Sequence, residues 1–260
     1  MIIIEGSEFA FVHIPKCAGT TVRNWLSTQT GHDRRFDDYL EVPGRGRYHG
    51  AHLTLDVLRD AFPEELKKLR NYWTCTAVRD PFKRFLSAFS QYEREFHGRN
   101  VLLMTPEALQ ADLSELIVRL KKGEAKRDTE LMHFLPQSDF IYLNGEKIVN
   151  DVIPIERMDV LIEKISKHLD ILPPETRVAN ERRQSKIPML KSVLYHAKKM
   201  SRVVLPESLW RKLHNMAIKL LTKKNDEQLD LGSLGVEAFV AEHYAKDAEI
   251  HRMALGDVSG

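Results

Sequence analysis

The chain has no apolar run near the roughly eighteen residues that a membrane-spanning helix needs, so none of its segments is expected to cross a bilayer. The opening Met1-Ile2-Ile3-Ile4-Glu5 is too short, and lacks the basic flank, for a signal peptide; it reads as a strand. Cysteine is scarce: Cys17 and Cys75 each lie beside a candidate ligand loop, which argues against a structural disulfide and for a reducing cytoplasm. No G-x-x-x-x-G-K-[ST] loop occurs, and no acidic residue follows a strand where it would hold Mg²⁺. Both absences argue against ATP-dependent phosphoryl transfer. Carboxylates are nearly missing from one stretch: residues 182–224 hold 12 Lys/Arg and 1 Asp/Glu, against 27 and 36 in the rest. The net charge of +2 therefore hides a basic segment on a mildly acidic body.

What is present is organised around two apolar strands, each running into a helix. Phe9-Ala10-Phe11-Val12-His13-Ile14 is almost unbroken in β-branched and aromatic residues, the pattern of a buried central strand. Val22, Trp25 and Leu26 then recur at helical spacing, so a helix starts near Thr20. A Gly/Arg-rich loop follows around residues 43–47, and then a helix-like stretch from Thr54 to Arg59. Tyr72 to Val78 is the second strand, and Pro81 suits the first turn of the next helix. Thr105-Pro106-Glu107 reads as an N-cap and first turn of a helix to about Lys122. Extended chain is expected at 140–143 and 152–155, with a turn at Asn144-Gly145 between them. A helix over Leu161–Leu169 stops before Pro173-Pro174. Two amphipathic helices are expected within the basic segment, and a final helix from Val236 to Met253. At 260 residues this is one α/β domain, residues 1–260, with a basic helical insertion at about 182–230.

Chemistry-bearing side chains concentrate at the two strand–helix junctions. At the first, Lys16-Cys17-Ala18-Gly19-Thr20-Thr21 joins a mobile positive charge, a glycine that admits an anion, and two hydroxyls to the positive end of a helix. At the second, Arg79 stands at the strand end and Ser87 two turns into the helix, a fork and a hydroxyl suited to a phosphate monoester. Taken alone, Arg79-Asp80 would be a local helix-capping ion pair. Paired with the first junction, it points to a nucleotide phosphorylated at both ends of its ribose, bound at the strand ends where an open α/β sheet takes its ligand.

The motifs His13-Ile14-Pro15-Lys16-x-x-Gly19-Thr20-Thr21 and Arg79-Asp80-Pro81-x-x-Arg84-x-x-Ser87 resemble those of sulfotransferases that use 3′-phosphoadenosine 5′-phosphosulfate. The similarity is to the carbohydrate branch, which includes Golgi enzymes and many bacterial homologues. It continues through His133-Phe134-Leu135-Pro136-Gln137, Ile155–Asp159 with its glutamate and arginine in a different order, Asn180, and Val240–Asp247. The resemblance implies a P-loop-like three-layer sandwich, a central parallel sheet flanked by helices, with a helical C-terminal extension. It also implies the phosphosulfate donor, its bisphosphate product, no metal, and in-line transfer to an acceptor hydroxyl on a carbohydrate. Residues 16–21 would hold the 5′-phosphosulfate, with Lys16 neutralising charge on the leaving oxygen. Arg79 and Ser87 would hold the 3′-phosphate, and Arg84 could join them. A P-loop-like kinase and a non-catalytic nucleotide-binding homologue are the rival readings.

The acceptor needs a general base, and histidine is the usual one near neutral pH. Of eleven histidines, His52 stands first and His49 second, both in Tyr48-His49-Gly50-Ala51-His52, where carbohydrate relatives carry a catalytic histidine. His13 reads as structural, and His133 could line the acceptor side. Glu93 or Glu95 is the carboxylate alternative. The basic segment 182–224 would meet an anionic polymer or a membrane surface, while nothing in it resembles a nucleic-acid motif. The acceptor would be a glycan or glycolipid, and the setting cytoplasmic, with peripheral membrane attachment open.

Overall fold

The computed structural model describes residues 1–31, 34–43, 45–174, 183–185, 222–224 and 235–257. The chain divides into two compact units, Met1–Thr176 with Leu229–Gly260, and Arg177–Gln228. Of the second unit, the described residues are two antiparallel triplets, Arg183–Ser185 and Thr222–Lys224. The two amphipathic helices expected in the basic segment, and Asn180, lie outside the described residues.

The first unit is built on a four-stranded sheet. Strand β1 (Ile2–Ile4) turns through Glu8, in left-handed conformation at φ 45°, into β2 (Phe9–Val12). Helix α1 (Gly19–Gln29) follows, and then a hairpin of β3 (Tyr39–Val42) and β4 (Gly46–His49). That hairpin occupies the region expected as a Gly/Arg-rich loop; its strands are short, and their outward face is polar. Helices α2 (Leu55–Ala61) and α3 (Pro63–Asn71) lead into β5 (Trp73–Val78). Helix α4 (Pro81–Phe96) and α5 (Pro106–Lys121) come next, α5 capped by the Thr105 hydroxyl, which accepts from the Ala108 N–H at 3.3 Å. A two-residue turn at Asn144-Gly145, both at positive φ, joins β6 (Tyr142–Leu143) to β7 (Glu146–Lys147). Strand β8 (Asp151–Pro154) and helix α6 (Met158–Leu169) complete the body.

The sheet order is β1-β2-β5-β8. Strands β2, β5 and β8 are parallel, whereas β1 runs antiparallel to β2. The sheet is therefore mixed around a parallel core rather than parallel throughout. The reason is the short β1–β2 connection, since a tight turn can only reverse the chain. Strands β2 and β5 sit in the middle and read as continuous apolar runs because both their faces are covered; Phe9, Ala10, Phe11 and Val12 are all buried. The expected C-terminal helix is two helices, α7 (Val236–His243) and α8 (Ala245–Asp257), broken at Tyr244. At the break Tyr244 leaves helical geometry at φ −113°, its ring is buried, and its hydroxyl donates to the Phe134 carbonyl at 2.7 Å. No helix among the described residues is long and apolar enough to cross a membrane.

Candidate active site at the ends of β2 and β5

Adjacent parallel strands end at the same edge of a sheet, so both junctions emerge side by side. Arg79 Nη1 donates to the Lys16 carbonyl at 3.4 Å. The buried Gln137 carboxamide ties the two together: its Oε1 accepts from the Cys17 thiol at 3.2 Å and from the Arg79 N–H at 2.9 Å, and its Nε2 donates to the Arg79 carbonyl at 2.8 Å. Gln137 is itself fixed by the buried Asp247 of α8, whose two oxygens accept the N–H groups of Gln137 and Ser138 at 2.7 and 2.9 Å. The sequence marks both Gln137 and Asp247 within motif blocks but does not show that they meet.

The first junction is strained. Lys16 and Ala18 lie at φ 67° and 59°, flanking Cys17 at negative φ. Left-handed backbone costs an L-residue on the order of 1–2 kcal/mol. Such alternation turns successive N–H groups toward one concavity, the geometry of an anion nest. The N–H groups of Ala18, Gly19 and Thr20 have no protein acceptor among the described residues. Gly19 must be glycine because the buried His13 ring packs against its Cα, where a methyl group would overlap it. Burial pushes the Cys17 thiol up to about 12, so it stays protonated and is a hydrogen-bond donor, not a nucleophile.

Lys16 Nζ donates to Gln91 Oε1 at 2.5 Å, and Gln91 Nε2 donates to Glu95 Oε1 at 2.8 Å. Gln91 stands four residues beyond Ser87 on α4, and helical spacing from Ser87 would have flagged it. Ser87 is buried on that helix. Arg79 is partly buried, and its Nε has no partner. An unpartnered guanidinium nitrogen at a strand end can donate to an acidic oxygen, and the Arg84 Nε is unpartnered as well. Arg84 differs: it turns inward, 1% exposed, donating to the carbonyls of His133 at 3.1 Å and Leu135 at 2.9 Å, with Asp247 3.8 Å away. Those bonds hold most of its guanidinium in the interior.

Four histidines gather beside the first junction. The His52 ring is centred 4.5 Å from His13, 5.3 Å from His49 and 5.4 Å from His133. His52 Nδ1 lies 3.1 Å from the His13 carbonyl oxygen. A carbonyl only accepts, so Nδ1 carries the proton and Nε2 keeps its lone pair. His49 has the opposite tautomer: its Nδ1 accepts from the Ala51 N–H at 3.2 Å, which leaves the proton on Nε2. Burial holds His13 and His52 well below the ordinary histidine range; the N-terminal amine and Arg23 add to this at His13, and the neighbouring histidines add to it at His52. Burial, then Lys16, takes His133 to about 3, and burial lowers His49 too. All four rings are neutral at neutral pH.

Both carboxylate alternatives are engaged, and Glu95 is linked to Lys16 through Gln91. Glu93 is fully buried and accepts from Arg99 Nε at 2.9 Å, an internal ion pair. Glu95 is exposed and engaged by Gln91. Thr20 is exposed at the head of α1, and Thr21 half-buried beside it.

Comparison with known proteins agrees with this arrangement. Residues 1–224 match the profile of the sulfotransferase family. Carbohydrate sulfotransferase 11 from Rattus norvegicus and from Mus musculus are each 28% identical over 105 residues, a stretch covering 38% of this chain and 29% of either relative. The chain thus spans less than a third of the length of the curated relatives it matches. No solved structure matches it. With the family profile running through both strand–helix junctions, the histidine cluster and the Gln137 bridge, the chain belongs to the sulfotransferase family.

Proposed function

We propose that the protein moves the sulfuryl group of 3′-phosphoadenosine 5′-phosphosulfate to a hydroxyl of a carbohydrate acceptor. The observation that carries this reading is the convergence of two anion-binding junctions, linked through Gln137, beside a histidine whose Nε2 lone pair is unengaged. The donor supplies an activated sulfuryl group on a phosphate leaving group. The residues present fit it: the N–H groups at Ala18, Gly19 and Thr20, with the Thr20 and Thr21 hydroxyls, would receive the 5′ end. Arg79 and Ser87 would receive the 3′-phosphate, and the orphaned Arg79 Nε supports that assignment. Lys16 would leave Gln91 to neutralise the leaving oxygen, an electrostatic role that needs no metal.

His52 would accept the acceptor's proton at Nε2, while the His13 carbonyl holds Nδ1–H and stabilises the imidazolium that forms. His49 becomes the poorer base, because its accepting nitrogen is already engaged by Ala51. The burial that keeps these rings deprotonated supports a base ready to take a proton. We read the fold as P-loop-like, with β2, the nest and α1 standing in for the phosphate loop, and the chain as one functional domain carrying a basic insertion. The two free thiols support the reading of a cytoplasmic setting. Attachment to anionic polymer or membrane through 182–224 remains part of the proposal.

A melting experiment tests the donor. Adenosine 3′,5′-bisphosphate without metal should raise the melting temperature, while ATP with Mg²⁺ should not. In a transfer assay with a glycan panel, the wild type should add one SO₃ to an acceptor. His52→Ala should abolish the acid limb of the pH–rate profile. Protection by ATP–Mg²⁺ alone would overturn the reading in favour of a kinase.

A further inference from the structure

The β3–β4 hairpin stands beside the histidine cluster, and its two faces differ. Pairing sets Tyr39 opposite His49, Leu40 opposite Tyr48 and Glu41 opposite Arg47. Side chains alternate along a strand, so Tyr39, Glu41, Arg47 and His49 share one face. The other face buries Tyr48 and Val42. The hairpin is held in place, not left as a free flap. The Tyr48 hydroxyl donates to the Lys126 carbonyl at 2.5 Å, the Thr129 hydroxyl to the Arg47 carbonyl at 2.6 Å, and the Gly50 N–H to the Asp38 carbonyl at 2.9 Å.

On the outward face the rings form a stair toward the base. Tyr39 is 45% exposed, and its ring meets His49 edge-on at 4.9 Å; His49 in turn lies 5.3 Å from His52. The Arg47 guanidinium lies 4.5 Å from the centre of the Tyr39 ring. Arg47 makes no ion pair among the described residues, although Glu41 is its cross-strand neighbour. The nearby arginines Arg23 and Arg45 are both neutralised, by Asp37 and by Asp56 with Asp60. Arg47 alone of these three keeps its charge uncompensated, and it does so stacked on an exposed tyrosine.

An exposed aromatic ring beside a base suits the apolar face of a sugar. A guanidinium stacked on that ring offers its donor edge to a planar anion. We propose that this hairpin face is the acceptor platform, with Tyr39 seating a sugar ring and Arg47 gripping a carboxylate or sulfate on that saccharide. The acceptor would then be an acidic saccharide. This rests on the sulfotransferase reading, and deepens it by naming where the acceptor lies and what charge it carries.

The test measures binding, with adenosine 3′,5′-bisphosphate present, of a short uronate-containing oligosaccharide and of its carboxyl-reduced, uncharged counterpart. Wild type should prefer the acidic form by about tenfold, the scale of one charge-assisted contact. Arg47→Gln should erase that preference, and Tyr39→Ala should weaken both forms by about fivefold. Glu41→Gln should tighten the acidic form about twofold, a gain that a misfolded variant cannot produce. Bisphosphate affinity should be unchanged in all three. An equal preference in Arg47→Gln, unchanged binding in Tyr39→Ala, or no binding of either oligosaccharide to wild type overturns the proposal. Failure to bind the bisphosphate would instead strike the sulfotransferase reading itself. An oligosaccharide with its carboxylates replaced by sulfates separates the two anions; tighter binding of the sulfated form would make an already sulfated chain the acceptor.

Discussion

The two strand–helix junctions are neighbours with the same topology, yet under the proposed reading they would meet an anion by opposite means. At β2–α1 the helix has no side-chain cap, the residue before it is left-handed, and the first N–H groups are open. At β5–α4 the helix is closed: the Asp80 carboxylate accepts the Lys83 N–H at 2.8 Å, and Pro81 has no N–H to offer. An open N-terminus presents the backbone itself, and sequence enters mainly through what must be small. A capped N-terminus is structural, and binding there would fall to a side chain, Arg79. The junctions also rest on different supports. The first lies on buried neutral histidines, the second on the Gln137–Asp247 network.

That contrast is most exposed in acid. His13, His52 and His133 are held below the unfolded value of 6.5, so between the folded and unfolded values the unfolded chain binds more protons. Stability is then full above about pH 6.5 and falls as pH drops through the window below it, which for His133 extends to about 3. The slope is at most about 1.4 kcal/mol per pH unit for each histidine and is approached only once the unfolded histidine is largely protonated, so over the first unit below pH 6.5 the loss is about 1 kcal/mol each, on the order of 3 kcal/mol together. Hydrogen exchange should register opening of residues 13–21 before 79–87. A uniform acid transition would show that the supports do not differ.

Lys16→Ala comes next. Removing a donor to the leaving oxygen should raise the barrier by about 3 kcal/mol, a fall in kcat beyond a hundredfold. Bisphosphate binding should change far less, since the neutralised charge develops as the bond breaks. Wild-type turnover in this variant would move the catalytic charge to the second junction.

Much of this candidate site was legible because the residues proposed to bind anions follow strands closely. Lys16, Gly19, Arg79 and Ser87 stand out by type and by position after an apolar run. The strand and helix pattern was likewise readable where burial is two-sided, as in β2 and β5. What escaped was long-range. Arg84 has the same motif context as Arg79, and only the fold reveals that carbonyls 49 and 51 residues away claim it. The β3–β4 hairpin escaped because its strands are only four residues each and the Gly/Arg-rich turn between them reads as a loop. At the break, the Tyr244 phenol reaches Phe134, 110 residues away. No local pattern encodes such pairs. The choice between His49 and His52 likewise turns on tautomers set by the Ala51 N–H and the His13 carbonyl, which side-chain identity alone does not reveal.

Gly19→Ala probes the open junction directly. The added methyl would meet the His13 ring, and that ring has little room because the His52 ring is packed against it at 4.5 Å. Overpacking of this kind costs about 2 kcal/mol. The expected result is a lower denaturant midpoint together with weakened bisphosphate binding, because the strained turn and the anion nest are one structure. Lost stability with intact binding would separate them.

Asp80→Ala is the smallest change and the sharpest discriminator. Losing an aspartate cap costs about 1 kcal/mol of stability. If the closed junction binds through the Arg79 side chain alone, opening the start of α4 should leave bisphosphate affinity near wild type, or raise it slightly, because a carboxylate next to the anion has gone. The competing outcome is a loss of affinity matching the loss of stability. That would mean Asp80 orients Arg79 as well as capping the helix, and the two junctions would then differ in degree and not in kind. Isothermal titration of the bisphosphate with Asp80→Ala and Asp80→Asn separates the cases, since asparagine keeps the cap and removes the charge.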